Sequence, residues 1–183
     1  LLTLRRSNAP QGNFQAKLFE LAKVYWQADP DANEAVTEPW MIGLVGPADY
    51  LELKGIVEQL AKRINPRVEV TVRPSAIAQF TPGRGAEVLL DGVPWGVLGE
   101  LSRKQTDAAE LRDGVCVAEL DLGILESKAD LVPRATKLPE FPGMVRDLNF
   151  VLDERVDWAA LESTVRQSAG PLLEGVRFGS QYR

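Results

Sequence analysis

The sequence predicts an α+β fold: a mostly antiparallel sheet with helices, followed by a β-α-β unit near the C-terminal end. Three observations predict it. Residues 49–64 carry apolar side chains at helical spacing. The dipeptide Asp91-Gly92 separates two apolar runs, which is typical of a hairpin with a tight two-residue turn. Residues 144–182 have the pattern of a strand, a helix and a second strand.

The first half of the chain begins with residues 17–26, whose apolar side chains lie on both alternating faces. This pattern predicts a central strand covered on both sides. Residues 39–45 form a second short apolar strand. Asp49, with Glu52 three residues later, fits the N-cap of the helix over 49–64, which Pro66 ends.

The next elements are strands. Valines at 68, 70 and 72 alternate with polar residues, which indicates a half-buried strand. Residues 86–90 and 93–98 form the hairpin, and a short helix is expected around 105–111. Residues 115–120 form one more strand, and a linker then runs to Glu140.

The linker contains Pro133 and Pro139, so we place the domain boundary within 127–140 and expect domains at 1–135 and 136–183. In the second domain, 144–153 is the first strand, Asp157 caps a helix, and a strand returns from Leu172. The chain begins at Leu1 rather than Met and stops within this last run, so both ends are expected to be cut.

Composition excludes several classes of protein. The 183 residues are 45% hydrophobic and 26% charged, an ordinary globular balance. No window approaches the roughly 20 apolar residues of a membrane helix, and no signal sequence opens the chain, so a cytoplasmic protein without membrane contact is expected. The formal net charge is -5 without a basic patch, which disfavours tight stand-alone binding to a phosphate backbone.

The chemistry available is narrow. The chain has no histidine, which excludes Ser-His and Cys-His nucleophiles and ordinary zinc sites. Cys116 is the single cysteine, and its apolar neighbours indicate a buried thiol. General acid-base chemistry would have to rest on carboxylate pairs, which a solvated or ion-paired role explains more simply. These pairs are Glu52 with Glu58, Glu119 with Asp121, and Asp153 with Glu154.

Two further features have a structural and a binding interpretation. The segment Pro82-Gly83-Arg84-Gly85 could present backbone amides to an anion, but a tight structural turn is simpler. Arg84 would then pair with Glu100, Glu119 or Asp121 of neighbouring strands. The aromatic residues are expected mostly in the core, although Trp40, Trp95 or Tyr182 could stack on a base.

Five segments together resemble the beta chain of bacterial phenylalanyl-tRNA synthetases. Residues 49–58 resemble its Asp-Phe-Phe-Asp-Leu-Lys-Gly-x-x-Glu segment, 82–86 its His-Pro-Gly-Arg-x-Ala turn, and 92–101 its Gly-x-x-x-Gly-x-Leu-Gly-Glu-Leu hairpin. Residues 119–125 and 141–150 continue the match in order. The resemblance extends from about Phe14 to Arg183, in the C-terminal part of that beta chain.

The resemblance implies a module similar to class II synthetase domains up to about residue 135, catalytically inactive and paired with a catalytic alpha chain in a heterotetramer of two alpha and two beta chains. The remainder would open a ferredoxin-like anticodon-binding domain. Contacts to tRNA, made through the complete enzyme, would then fall to Arg146, Arg177, Tyr182 and Arg183. ATP and Mg²⁺ would bind elsewhere, so no catalytic, cofactor or metal residue is expected here.

The sequence also departs from the family pattern. Thr81 stands where the family has His, and Ser102 where His-Pro usually follows. The segment from Lys17 to Glu20 lacks the arginine with which a working class II site would grip ATP, and a Gly-x-Gly-x-Gly-x-x-Arg stretch is absent. The alternatives to a segment of a tRNA synthetase are a small carboxylate-dependent enzyme and a free-standing RNA-binding module.

Overall fold

The computed structural model describes residues 1–26, 36–132, 135 and 140–182. The chain divides into two compact units, Leu1–Ala135 and Thr136–Arg183. The described strands of the first unit form a six-stranded sheet in the order β1-β2-β6-β5-β4-β3, with every neighbouring pair antiparallel. This confirms the predicted antiparallel α+β fold.

The strands of the first unit are β1 Leu18–Lys23, β2 Trp40–Pro47, β3 Val70–Pro74, β4 Phe80–Leu90, β5 Val93–Leu101 and β6 Val115–Asp121. Its helices are α1 Leu2–Asn8, α2 Tyr50–Ile64, α3 Arg103–Ala108 and α4 Leu122–Ser127, with a 3-10 turn at Ala9–Gln11. The second unit contains helix α5, Trp158–Ala169.

Helix α2 covers one face of the sheet. The Asp49 carboxylate accepts the Glu52 backbone N–H at 2.9 Å, which confirms the predicted N-cap. Leu53, Val57 and Ala61 are the buried residues of the helix. They share a core with alternate residues of the central strands, including Cys116, Ala118 and Leu120 of β6. We call this side of the sheet the helix face.

The described residues cover the opposite side, which we call the second face, at one end. Val45, Leu101 and Val115 belong to a smaller core there, packed against Leu1 and Leu2 of the α1 segment. Helix α1 was not predicted, because seven residues are too few for a periodic pattern to be recognised.

The β4–β5 hairpin confirms the sequence prediction. Asp91 and Gly92 have φ angles of 50° and 78°, the left-handed values that the tight turn requires. Asp91 Oδ1 also accepts the Glu69 backbone N–H at 2.8 Å, which ties the turn to the segment before β3.

Two predictions in the first unit are wrong. Residues 17–26 were expected to form a central strand, but β1 is an edge strand and Phe19 is 72% exposed. Apolar side chains on both faces also occur on an edge strand, so the pattern did not identify the position. The expected linker after β6 begins with helix α4, whose N-cap Asp121 accepts the Ile124 N–H at 3.1 Å.

The second unit contains the predicted helix without its predicted strands. Asp157 caps α5 by accepting the Ala160 N–H at 2.8 Å, and Trp158 packs edge-on against Phe178 with ring centroids 5.4 Å apart. Residues 144–153 and 172–182 have no assigned strand, so the β-α-β prediction is wrong in this respect. In a split β-α-β unit the two parallel strands are separated by another strand, and the second unit has no strand among its described residues.

Candidate functional site

One row of residues crosses the second face of the whole sheet. Successive cross-strand partners in this row are Glu20, Gly43, Glu119, Val97, Glu87 and Arg73, one from each strand. Directly opposed residues share a face. Because Ala118 and Leu120 point to the helix face, Glu119 between them points to the second face, and the rest of the row lies with it.

The row is acidic. It contains three carboxylates and one guanidinium, and Arg73 already donates from Nε to Glu87 at 3.0 Å. Strands lie about 4.8 Å apart, so Glu20 and Glu87 are each about 10 Å from Glu119 along the row. Fixed negative charge at this spacing opposes the approach of phosphate groups. The Lys17–Glu20 segment, which lacks the arginine of a working site, therefore places a carboxylate on this face.

Three carboxylates of the pairs found in the sequence have structural roles. Glu52 forms an ion pair with Lys17, and Glu58 with Lys54. Asp121 is the N-cap of α4, as described above. These acids are held by cations or by a helix end, so they do not face each other in a cleft as an acid-base pair would.

Asp153 of the second unit is also committed to an ion pair. Arg155 donates from Nε to its carboxylate at 2.9 Å, and this hydrogen bond is the main reason that the pKa of Asp153 lies below its ordinary value. A carboxylate held ionised in this way is a poor general acid.

The glycine-rich turn contains an ion pair with one of the expected partners. Arg84 Nη1 lies 2.5 Å from Glu100 Oε2, and the side chain of Arg84 is 62% exposed, so the pair is at the surface. Gly83 has a φ of 76°, a conformation that favours glycine. The turn borders a cleft of about 360 Å³ whose other walls include Tyr50 and Val72. Thr81, at the position of the family's His, donates its hydroxyl to the Leu101 carbonyl at 3.2 Å.

Cys116 is fully buried, as predicted. Loss of hydration, followed by the charges of Glu100 and Asp49, raises the pKa of its thiol to about 11. The thiol therefore stays protonated at neutral pH and is not a nucleophile. Among the described residues, no group of three His, Cys, Asp or Glu side chains could hold a metal ion.

The candidate stacking residues separate into two environments. Trp95 is buried and donates from Nε1 to the Asp121 carbonyl at 2.9 Å, so it is a core residue. Trp40 is about half exposed and Tyr182 is almost fully exposed. The expectation that most aromatic residues lie in the core is wrong: Phe80 joins Trp95 among the buried residues, but most of the others are exposed, including Phe19, Tyr25 and Trp26 of the β1–β2 hairpin.

The candidate tRNA contacts of the second unit are exposed side chains without a common site. Arg146 donates from Nη1 to the Val145 carbonyl at 3.1 Å, and Arg177 and Tyr182 lie on the segment after α5. No hydrogen bond or ion pair joins these three within the described residues. Arg183 lies outside the described residues.

Sequence reasoning missed an exposed apolar surface on the β1–β2 hairpin. Phe19 and Leu21 lie opposite Leu44 and Ile42, whose side chains belong to the core of the helix face. They therefore point to the same side as α2 but remain exposed at the sheet edge. The signal for this surface was the presence of apolar residues on both faces of 17–26. That pattern fits an uncovered edge strand as well as a central strand.

These observations define an antiparallel α+β module built on a six-stranded sheet. The family model of the phenylalanyl tRNA synthetase beta chain CLM domain matches residues 1–122. The chain therefore belongs to this family, as its resemblance indicated. Within the described residues, none of the helices combines the length and the apolar character that crossing a membrane requires.

Curated relatives agree with this assignment. The phenylalanine–tRNA ligase beta subunit of Clostridium tetani is 32% identical over 180 residues, covering 96% of this chain and 22% of the relative. That of Rhodopirellula baltica is 34% identical over 191 residues, covering 100% of this chain and 28% of the relative. The chain thus spans about a quarter of the length of the curated relatives it matches.

A solved structure of pyrrolysyl-tRNA synthetase from Desulfitobacterium hafniense aligns with a TM-score of 0.49 and 15% identity, covering 68% of this chain and 45% of that one. A likeness at this score is too slight to support an argument about function.

Proposed function

We propose that this chain is a non-catalytic structural and recognition segment of a phenylalanine–tRNA ligase beta chain, which supports the ATP-dependent charging of tRNA by a separate alpha chain. Family membership supports the enzyme class. The acidic row on the second face supports the non-catalytic role, and it is the observation on which the proposal chiefly rests.

The acidic row is unsuited to binding ATP. Aminoacyl activation requires cations that neutralise phosphate charge as it develops. The row offers Glu20, Glu119 and Glu87, and its guanidinium, Arg73, is already bound by Glu87. A nucleotide at this face would therefore meet net repulsion. ATP and Mg²⁺ are accordingly assigned to the alpha chain, and no cofactor to this one.

The proposed partners follow from the relatives, which are named as beta subunits. A beta subunit requires at least one other kind of chain, and the assembly we propose contains two alpha and two beta chains in the cytoplasm. The second unit is proposed to open a ferredoxin-like anticodon-binding domain, in which Arg146, Arg177, Tyr182 and Arg183 contact tRNA in the complete enzyme.

The test of the enzyme assignment is phenylalanine-dependent pyrophosphate exchange with ATP. The isolated chain is expected to show no exchange above a blank, and the alpha chain is expected to co-purify with it when the two are expressed together. Exchange by the isolated chain that survives repurification would contradict the proposal and favour a carboxylate-dependent enzyme.

The proposed contact with tRNA is weak in this chain alone. The described unit presents exposed arginines at 146 and 177 among several acidic residues, so affinity should not exceed the ~10⁻⁴ to 10⁻⁶ M of non-specific binding at physiological salt. Binding is measured by salt titration, with Arg146→Ala compared with wild type. Tight binding with a steep salt slope would favour a free-standing RNA-binding module instead.

A further inference from the structure

The glycine-rich turn brings the side chain of Phe80 onto the second face of the sheet. Phe80 pairs with Leu101 and Gly85 pairs with Gly99, so the two residues of β4 face positions of β5 that are only two residues apart. The intervening residues 81–84 loop out of the ladder, where the register shifts. Residues two apart on a strand share a face. Phe80 and Gly85 are therefore neighbours on the second face.

The Phe80 ring lies directly against two glycines. A methyl group added to Gly85 would lie 2.5 Å from Phe80 Cδ2, and one added to Gly99 would lie 2.6 Å from the same atom. Carbon atoms in contact are about 3.5 to 4.0 Å apart, so neither position has room for a side chain. Phe80 is 6% exposed and shares the smaller core with Leu111 and Val115. The ring thus fills a slot whose floor is bare backbone.

The Phe80 ring is the reason that the structure shows for a glycine at position 85. Gly85 is not among the glycines with a positive φ, and the three atoms nearest to an added methyl all belong to Phe80. At Gly96, by contrast, an added methyl would collide with the Glu119 carbonyl, so backbone packing requires that glycine. Position 85 is therefore fitted to an aromatic ring and not to the backbone.

A slot of this shape is suited to a flat aromatic molecule. When a buried apolar side chain is removed and the lining is apolar, the cavity stays dry and can bind benzene. We propose that the second face contains a binding site for a planar aromatic ring, with Gly85 and Gly99 as its floor, and that Phe80 is its built-in occupant. The chain closes the site with its own side chain and so excludes external aromatic molecules. The proposal goes beyond the proposed function and does not depend on it.

The surroundings of the slot select an uncharged ring. Its walls are apolar residues of the smaller core, such as Leu101 and Val115. Glu87 follows Gly85 by two positions and therefore lies beside the floor on the same face. An anionic ring would lose its hydration in the slot and would also meet this carboxylate. The ligand class is therefore a neutral aromatic molecule of about the size of benzene.

The test replaces the built-in ring by an external one in the 183-residue chain. Phe80→Ala should lower the melting temperature by roughly 10 to 20 °C, because it leaves a cavity in the core. Fluorobenzene, followed by fluorine NMR, should bind this variant with a Kd of about 1 mM or below. At about 5 mM it should then raise the melting temperature of the variant by roughly 3 to 6 °C. Wild type should neither bind fluorobenzene nor be stabilised by it, and a fluorobenzoate should have no effect on either protein.

Gly85→Ala tests whether the ring rests on this glycine. In wild type it should lower the melting temperature by at least about 4 °C, because the Phe80 ring must move. In the Phe80→Ala background it should cause no such loss, and it should abolish fluorobenzene binding because its methyl group enters the slot. Gly55→Ala is the matched control, since a methyl group added to Gly55 on α2 meets nothing within 4 Å and should not lower the melting temperature.

Circular dichroism establishes whether each variant is folded. If Phe80→Ala is folded, failure to bind fluorobenzene overturns the proposal, and so does binding that is equal in wild type or that survives Gly85→Ala. If Phe80→Ala does not fold alone, it should fold when fluorobenzene is added and not when the fluorobenzoate is added; failure of this rescue overturns the proposal. An unchanged melting temperature of Gly85→Ala in wild type overturns it as well.

Discussion

Replacing Arg5 by Ala should destabilise the first unit by about 3 kcal/mol. The Arg5 side chain is 2% exposed and donates to the Ala16 carbonyl, to the Phe14 carbonyl at 2.9 Å and to Asp113. These contacts hold α1 against the segment before β1 and against the loop before β6.

The magnitude follows from what the substitution leaves behind. Removing one member of a buried ion pair costs about 3 to 5 kcal/mol. Asp113 is 33% exposed, so its carboxylate can be rehydrated, and the Nε–H of Arg5 has no partner among the described residues. Rehydration of Asp113 and removal of the unpartnered Nε–H both reduce the cost, so the loss of unfolding free energy lies near the lower end of the range of about 3 to 5 kcal/mol. For a domain of this size, that loss lowers the melting temperature by roughly 10 °C.

The adjacent residue provides a matched control. Arg6 pairs with Glu110 at 2.9 Å, but both side chains are well exposed, so Arg6→Ala should cost about 0 to 1 kcal/mol. Thermal unfolding followed by circular dichroism measures both variants. If Arg5→Ala melts within error of Arg6→Ala, the buried arginine does not anchor α1 and the reasoning is refuted.

Three further predictions concern Arg84, Cys116 and Asp91. Because its pair with Glu100 is at the surface, Arg84→Ala should cost only about 0 to 1 kcal/mol in urea unfolding, and a loss above about 2 kcal/mol would contradict this. Cys116, with its thiol pKa raised to about 11 by burial, should react with an aromatic disulfide reagent at pH 8 no faster than the chain unfolds; prompt reaction in native buffer would show an accessible thiol. The hydrogen bond from the Glu69 backbone N–H is the largest cause of the lowered pKa of Asp91. The stabilisation that the Asp91 carboxylate provides is therefore fully present above its unfolded pKa of about 4 and is lost as pH falls through its folded pKa. The deficit of Asp91→Ala in unfolding free energy should therefore be larger at pH 7 than at pH 3, and an equal deficit at both would refute it.

Local patterns predicted the elements whose formation depends on local chemistry. The Asp49 cap and the spacing of Leu53 and Val57 specified α2 because these interactions occur within one helix. Asp91-Gly92 specified the hairpin because few dipeptides adopt two left-handed residues in succession. The partner of Arg84 was predictable to within three carboxylates, because only residues of neighbouring strands were within reach.

The position of a strand within its sheet was not predictable from local pattern. Residues 17–26 have the composition of a strand covered on both sides, but the strand order places β1 at the edge. The acidic row was likewise invisible in the sequence, because Glu20, Glu87 and Glu119 are far apart along the chain and meet only through the registers of five strand pairs. Neither a motif nor a periodicity encodes such a row.

In the second unit, too, local sequence pattern predicted the helix but not whether the strands form. Helix α5 forms because its hydrogen bonds and its Asp157 cap are satisfied within about fifteen residues of chain. Residues 144–153 have a sequence equally typical of a strand, but a strand requires backbone partners on another segment, and the two flanking segments of a split β-α-β unit do not supply them to each other. Apolar side chains such as Met144 and Val151 accordingly remain exposed. Sequence pattern therefore identifies which segments are able to form strands, and the presence of a neighbouring segment decides which of them do.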